Sequence, residues 1–146
     1  SNRQTVITDN AVFYHADANF MNKIGIPAEH TLPFIGSYDH LCRRLTIIKF
    51  QISNLGAGYT NAVWNWDADP LDGEIVNIFN DGVQENGDFF GPLYEIETSS
   101  AALALNVGQS HSHYHYTFHF TGPESELDII SNAVLGVSIE EFKKAF

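Results

Sequence analysis

The stretch Ser110–Phe120 reads S-H-S-H-Y-H-Y-T-F-H-F and sets His111, His113, His115 and His119 at even spacing. In an extended strand successive side chains alternate between faces and rise about 3.3 Å per residue, so the four imidazoles and Thr117 are expected on one face. Tyr114, Tyr116, Phe118 and Phe120 then fill the other. An aromatic face suits a hydrophobic core, whereas an imidazole row suits solvent, a ligand cavity or a metal. The period of two decides for β structure, and the imidazole row is the first candidate site.

The same period recurs along the chain. Thr5–Thr8, Val12–Tyr14, Phe20–Ile26, Phe34–Tyr38, Leu45–Ile52, Ala62–Trp66, Ile75–Phe79, Leu93–Thr98 and Ser110–Thr121 read as short strands rich in β-branched and aromatic residues. Asp9-Asn10, Ser53-Asn54, Gly56-Ala57-Gly58, Asp69-Pro70, Asp72-Gly73, Asn80-Asp81-Gly82, Asn86-Gly87 and Asn106-Val107-Gly108 mark the turns between them. Such punctuation predicts an all-β fold, an antiparallel β-sandwich, over one domain spanning 1–146. Its sandwich covers 1–122 and its helical tail 123–146. In the tail, Pro123 fits a first helical turn, Glu124, Glu126 and Asp128 complement the helix dipole, and Leu127, Ile130 and Val134 form one apolar stripe. Gly136 can close that helix; Ser138 and Glu141 then form a capping box, Val137 can staple onto Phe142, and Lys143 and Lys144 sit in the last turn of a second.

With 146 residues and 44% hydrophobic content the chain is long enough for its own core. Seven basic against eighteen acidic residues give a net charge of −11, which repels phosphate backbones and argues against a nucleic-acid partner. The single Cys42 allows no internal disulfide, and no apolar run approaches the roughly 18 residues of a membrane span. The N-terminal S-N-R-Q-T carries no apolar signal region.

Four elements are candidates for chemistry. An H-x-H pair on a strand, His113 and His115, can converge on a divalent transition metal if a third ligand is near, and Glu95 or Glu97 in Y-E-I-E-T is the candidate. The same residues serve a sugar equally well, as hydrogen-bonding or proton-transfer groups around a ring oxygen, and a solvated histidine face is the plain alternative. In V-W-N-W-D, Trp64 and Trp66 share a face; core packing is the commoner use of such a pair, with stacking on a pyranose as the alternative. The segment from Asn77 to Gly82 reads as turn chemistry at Asp81 and Gly82, with Asn77 and Asn80 open to a binding role. Arg43 and Arg44, the one basic cluster near Lys49, point to opposite faces and read as solvated surface or ion pairs.

K-I-G-I-P (Lys23 to Pro27), I-G-S-Y-D (Ile35 to Asp39), L-T-I-I-K-F (Leu45 to Phe50), I-V-N-I-F-N-D-G (Ile75 to Gly82), G-P-L-Y-E-I-E-T-S-S (Gly91 to Ser100), the spacing of His113, His115 and His119, and the tail L-G-V-S-I-E-E-F-K-K-A-F together carry a resemblance. In this ordered series the chain resembles the C-terminal part of a family of uncharacterised, mostly secreted bacterial proteins related to galactose mutarotase and the aldose 1-epimerases. The resemblance implies a galactose-mutarotase-like fold, here a partial supersandwich, and a carbohydrate-binding or carbohydrate-processing role outside the cytoplasm, in a secreted or periplasmic setting. It makes His113, His115 and Glu95 or Glu97 the residues to take catalytic parts, with Trp64, Asn77, Asn80 and His119 as sugar contacts. The metal alternative uses His113, His115 and Glu95, whereas the sugar reading requires no cofactor. Tyr116 and Asn65 depart from the family pattern, which has an arginine and an acidic residue there, so a cation and a carboxylate are missing from the expected cleft. Family members are about twice as long; a half supersandwich exposes an edge or an apolar face, from which a homodimer or a rearranged smaller sandwich is expected, and a structural half-domain without its own activity is the remaining alternative.

Overall fold

Eight strands form among the residues described by the computed structural model, 4–53, 58–63, 66–84 and 86–146. They are β1 (Thr5–Ile7), β2 (Val12–Tyr14), β3 (Asn22–Ile26), β4 (Phe34–Asp39), β5 (Arg44–Phe50), β6 (Val76–Asn80), β7 (Tyr94–Thr98) and β8 (His115–Thr121), followed by helices α1 (Glu124–Leu135) and α2 (Ile139–Lys144). The all-β class and the helical tail are as expected. The strands form three sheets, ordered β1-β2, β3-β6-β7 and β4-β5-β8. The chain divides into two compact units: one holds the described part of Ser1–His15 with Phe34–Lys49 and Tyr116–Phe146, the other Ala16–Pro33 and Phe50–His115.

In the first unit the core grows from β5. Leu45 and Ile47 alternate onto one face of the strand and are buried with Leu127 of α1 and Ile139 of α2. Each such side chain contributes roughly 1.5–3 kcal/mol on burial. Ile130, Val134 and Leu135 continue the α1 stripe, and Phe34, Tyr38 and Phe120 pack around it. Gly36 of β4 leaves room for the Leu135 side chain, into which a Cβ would run. α1 starts behind Pro123 and ends at Gly136, whose φ of 71° is the left-handed conformation that glycine adopts without strain. α2 carries the expected capping box: the Ser138 side chain accepts from the Glu141 amide at 3.2 Å, and the Glu141 carboxylate accepts from the Ser138 amide at 2.7 Å. Tyr38 of β4 donates to Glu124 at 2.8 Å, and Lys143 pairs with the same carboxylate at 3.1 Å, joining strand and both helices.

β8 departs from expectation twice. It begins at His115, not Ser110, so His111 and His113 lie in an irregular segment and not on a strand. The reason is the length of its neighbour: β5 ends at Phe50, and one further backbone bond, Gln51 N–H to the Tyr114 carbonyl at 3.1 Å, is the last support the segment receives from that side. Second, the aromatic face is not a core. Tyr114 is exposed, Tyr116 is 53% and Phe118 46% exposed, and only Phe120 reaches the cluster that α1 and α2 close with their own side chains.

In the second unit, β6 is central. β3 and β7 flank it antiparallel, with Lys23, Phe79 and Glu95 in one cross-strand row, Ile24, Ile78 and Ile96 in the next, and Gly25, Asn77 and Glu97 in a third. Ala62–Trp66 was expected to be a strand; Trp64 and Asn65 lie outside the described residues, and the described flanks are not strand. Trp66 sits in a turn and is 88% exposed, so it is not a core residue.

Ser138→Ala removes the cap oxygen of α2 and is expected to cost about 1 kcal/mol of stability, read as a shift in the urea midpoint with an unchanged slope. A midpoint equal to wild type would show that the cap contributes nothing to the folded tail.

Candidate functional site

β7 divides the candidate residues by parity. Glu95 and Glu97 alternate onto the face that carries Lys23, Phe79 and Asn77, and Thr98 falls on the opposite face with Ile96. Thr98 is the residue that receives the imidazoles. Its Oγ1 lies 3.1 Å from Nε2 of His113 and 2.8 Å from Nδ1 of His115. The structure therefore brings His113 to His115, and Glu95 to Glu97, but sets the two pairs on opposite sides of one sheet.

The imidazole side opens onto a cleft of about 380 Å³ lined by Ser100, Ala101, Ala102, Leu103, Leu105, His111 and His113. Its wall is fixed by backbone bonds from Ala102 N–H to the Gly58 carbonyl at 2.8 Å and from Ser99 N–H to the Ile75 carbonyl at 2.8 Å. Ala101 is buried beneath it. Burial at the cleft lowers the pKa of His113, and the neighbouring His115 and His111 push it the same way. The ring is held neutral over a range where an exposed imidazole is charged.

The carboxylate side has a different chemistry. Lys23 Nζ pairs with Glu97 at 3.1 Å, and the Lys23 side chain is only 11% exposed. Glu95 shares a hydrogen bond with Glu97; that bond, then burial, then the Glu97 charge push its pKa above the ordinary carboxylate value, while Lys23 acts against them. A hydrogen bond between two carboxyl groups forms only when one of them carries a proton.

Asn77 and Asn80 were expected as ligand contacts, and both are buried to 0% exposure. Asn80 is a bracket. Its Oδ1 accepts from the Ala18 amide at 3.0 Å, and its Nδ2 donates to the Phe20 carbonyl at 2.9 Å, holding the segment that carries Ala18 at a φ of 56°. Asn77 Nδ2 donates to the Glu74 carbonyl at 3.3 Å, and its Oδ1 has no partner among the described residues. Asp81, read as a turn residue, is also buried: its backbone continues the β6–β7 ladder to Leu93, and its Oδ2 accepts from Gly91 N–H at 2.9 Å. In all three cases a polar residue next to a loop satisfies backbone rather than ligand. His119 lies exposed on β8 with Nδ1 2.9 Å from Thr46 Oγ1. Trp64 lies outside the described residues. Arg43 and Arg44 are exposed, as expected.

Among the described residues, no group of three or more His, Cys, Asp or Glu side chains is placed to hold a metal ion. The third ligand expected from Glu95 or Glu97 is on the wrong face of β7. Residues that the sequence reading passed over are Thr98, the acceptor and donor between the rings, and Ser100 in the cleft; His111 was read only as part of the imidazole row. Alternation along Y-E-I-E-T could have separated Thr98 from the two glutamates.

Two outcomes test these assignments. Asn80→Ala strands the Ala18 amide and the Phe20 carbonyl and is expected to destabilise the protein by about 1–3 kcal/mol in urea unfolding; a neutral result would remove the bracket. For Glu95, a raised native pKa means that the folded state binds the proton more tightly than the unfolded chain. Its contribution is fully present below the ordinary value of 4.5 and is lost as pH rises through the native value. Glu95→Gln should therefore raise stability at neutral pH relative to wild type and flatten the fall above pH 4.5. Equal pH profiles for both proteins would rule out the shared proton.

No curated protein and no solved structure matches the chain. A family model described as a family of unknown function (DUF6786) matches residues 1–146, and the chain belongs to that family.

Proposed function

We propose that the chain is a carbohydrate-binding module whose site is the imidazole cleft beside Thr98. The observation that carries this reading is the single hydroxyl shared by two rings. Thr98 has one hydroxyl hydrogen, and a neutral imidazole has one N–H and one bare nitrogen. When the hydroxyl donates to one ring it accepts from the other. The remaining nitrogens, Nδ1 of His113 and Nε2 of His115, are then one donor and one acceptor. A sugar hydroxyl, which both donates and accepts, is the complement of that pair. Ser100 adds a further hydroxyl, and Leu103 and Leu105 give an apolar wall for the C–H face of a ring. The volume of about 380 Å³ is within the range of small-ligand sites.

A relation to galactose mutarotase, which the sequence resemblance implies, belongs to the same proposal and would carry the same ligand class. Binding is favoured over turnover by the parity of β7. Epimerase-type chemistry needs an imidazole and a carboxylate on one substrate, and Glu95 and Glu97 face away from the rings. A metal role for His113 and His115 would need ligands from beyond the described residues.

Neutral aldoses titrated into chelator-treated protein, followed by calorimetry or amide chemical shifts, are expected to bind saturably, with the largest shifts at Thr98, Ser100, His111 and His113. Thr98→Val keeps the shape but removes the hydroxyl, and affinity should fall about tenfold. A panel of sugars that perturbs none of these residues would end the proposal.

A further inference from the structure

From Thr98 to Pro123 the chain contains no Asp, Glu, Lys or Arg, although its net charge is −11. Among the described residues this stretch supplies every lining residue of the imidazole cleft, so histidines are the only source of positive charge in that lining and no carboxylate stands among them. The backbone partners of the segment, Gly58 for Ala102 and Gln51 for Tyr114, are uncharged. Glu97 lies on the opposite face of β7 and is already paired with Lys23. Among the groups around it, His113 feels the charges of His115 and His111.

We propose that the occupant of this cleft is an acidic sugar, a uronic acid or a glycan bearing one, whose carboxylate is held between His111 and His113. The inference rests on the carbohydrate reading and narrows its ligand class. His111 and His113 both line the cleft, and a neutral imidazole already offers one N–H to a carboxylate oxygen. A protonated ring offers two, and the hydrogen bond to the anion is then charge-assisted. Repulsion among neighbouring rings is relieved when an anion sits between them. The net charge of −11 opposes an anion, and at physiological ionic strength exposed charges more than about 8 Å from the cleft are screened. A neutral sugar would use the hydroxyl contacts of the cleft but leave its charge preference idle.

The experiment compares galacturonic acid, its methyl ester, galactose and inorganic phosphate by calorimetry, at about pH 6.5, the ordinary imidazole midpoint, and at physiological ionic strength. The acid should bind at least tenfold more tightly than the ester or galactose, and phosphate should bind more weakly than the acid. His111→Gln keeps a donor but cannot take up a charge, and it should bring the acid-to-ester ratio close to one. Acid and ester binding alike would overturn this inference and leave the carbohydrate reading standing. Phosphate binding as tightly as the acid would also overturn it, by showing an anion site indifferent to sugar. If none of the three sugars binds, both readings fall together.

Discussion

The alternation of side chains along β7 is the constraint on which the site depends. Five residues, Tyr94 to Thr98, place two carboxylates on one face and the threonine that organises the imidazoles on the other. The separation cannot be repaired by small movements, because a one-residue slip of a strand exchanges its faces wholesale. The register of β7 is fixed by its pairing with β6 from Val76–Thr98 to Asn80–Tyr94, and β6 is held in turn by β3. The isoleucine row across all three strands sets that register, since a one-residue slip of β7 would put Glu95 or Glu97 in the place of Ile96, beside Ile78. Packing thus dictates which chemistry meets which.

Two kinds of polar residue follow from this arrangement. Asn80 and Asp81, at the end of β6, are spent on backbone groups of Ala18, Phe20 and Gly91 and hold the segments on either side of the sheet end. Thr98, at the end of β7, is turned instead to side chains that line an open cleft. A buried amide that satisfies the backbone is a structural part even when it resembles a ligand contact in sequence. A half-exposed hydroxyl between two rings has donor and acceptor capacity to pass on.

Much of the fold was legible in the sequence because its signals are local. The strands from Thr5 to Ile7 and Val12 to Tyr14, the β5 alternation, the αL glycine at Gly136 and the Ser138–Glu141 box each depend on neighbours within a few residues. The candidate site was half legible. His113 and His115 do come together, but by way of Thr98 and not along a strand face, because the ladder that would have extended β8 toward Ser110 stops where β5 stops. The glutamates were assigned to the same site because sequence gives adjacency of strands no direction. The burial of Asn77 and Asn80, and the exposure of Trp66 and Phe118, depend on which surfaces other elements cover, and that is tertiary information.

The exposed β8 has a consequence for the colloidal behaviour of the protein. It is the outer strand of its sheet, its sequence H-Y-T-F-H-F-T has aromatic residues at every second position, and it contains no lysine, proline or glutamate. Those are the residues that usually keep an edge from recruiting another strand. With none of them on β8, the edge is open to strand-to-strand association, and the polar side chains His115, Thr117 and His119 are what interrupts its aromatic row.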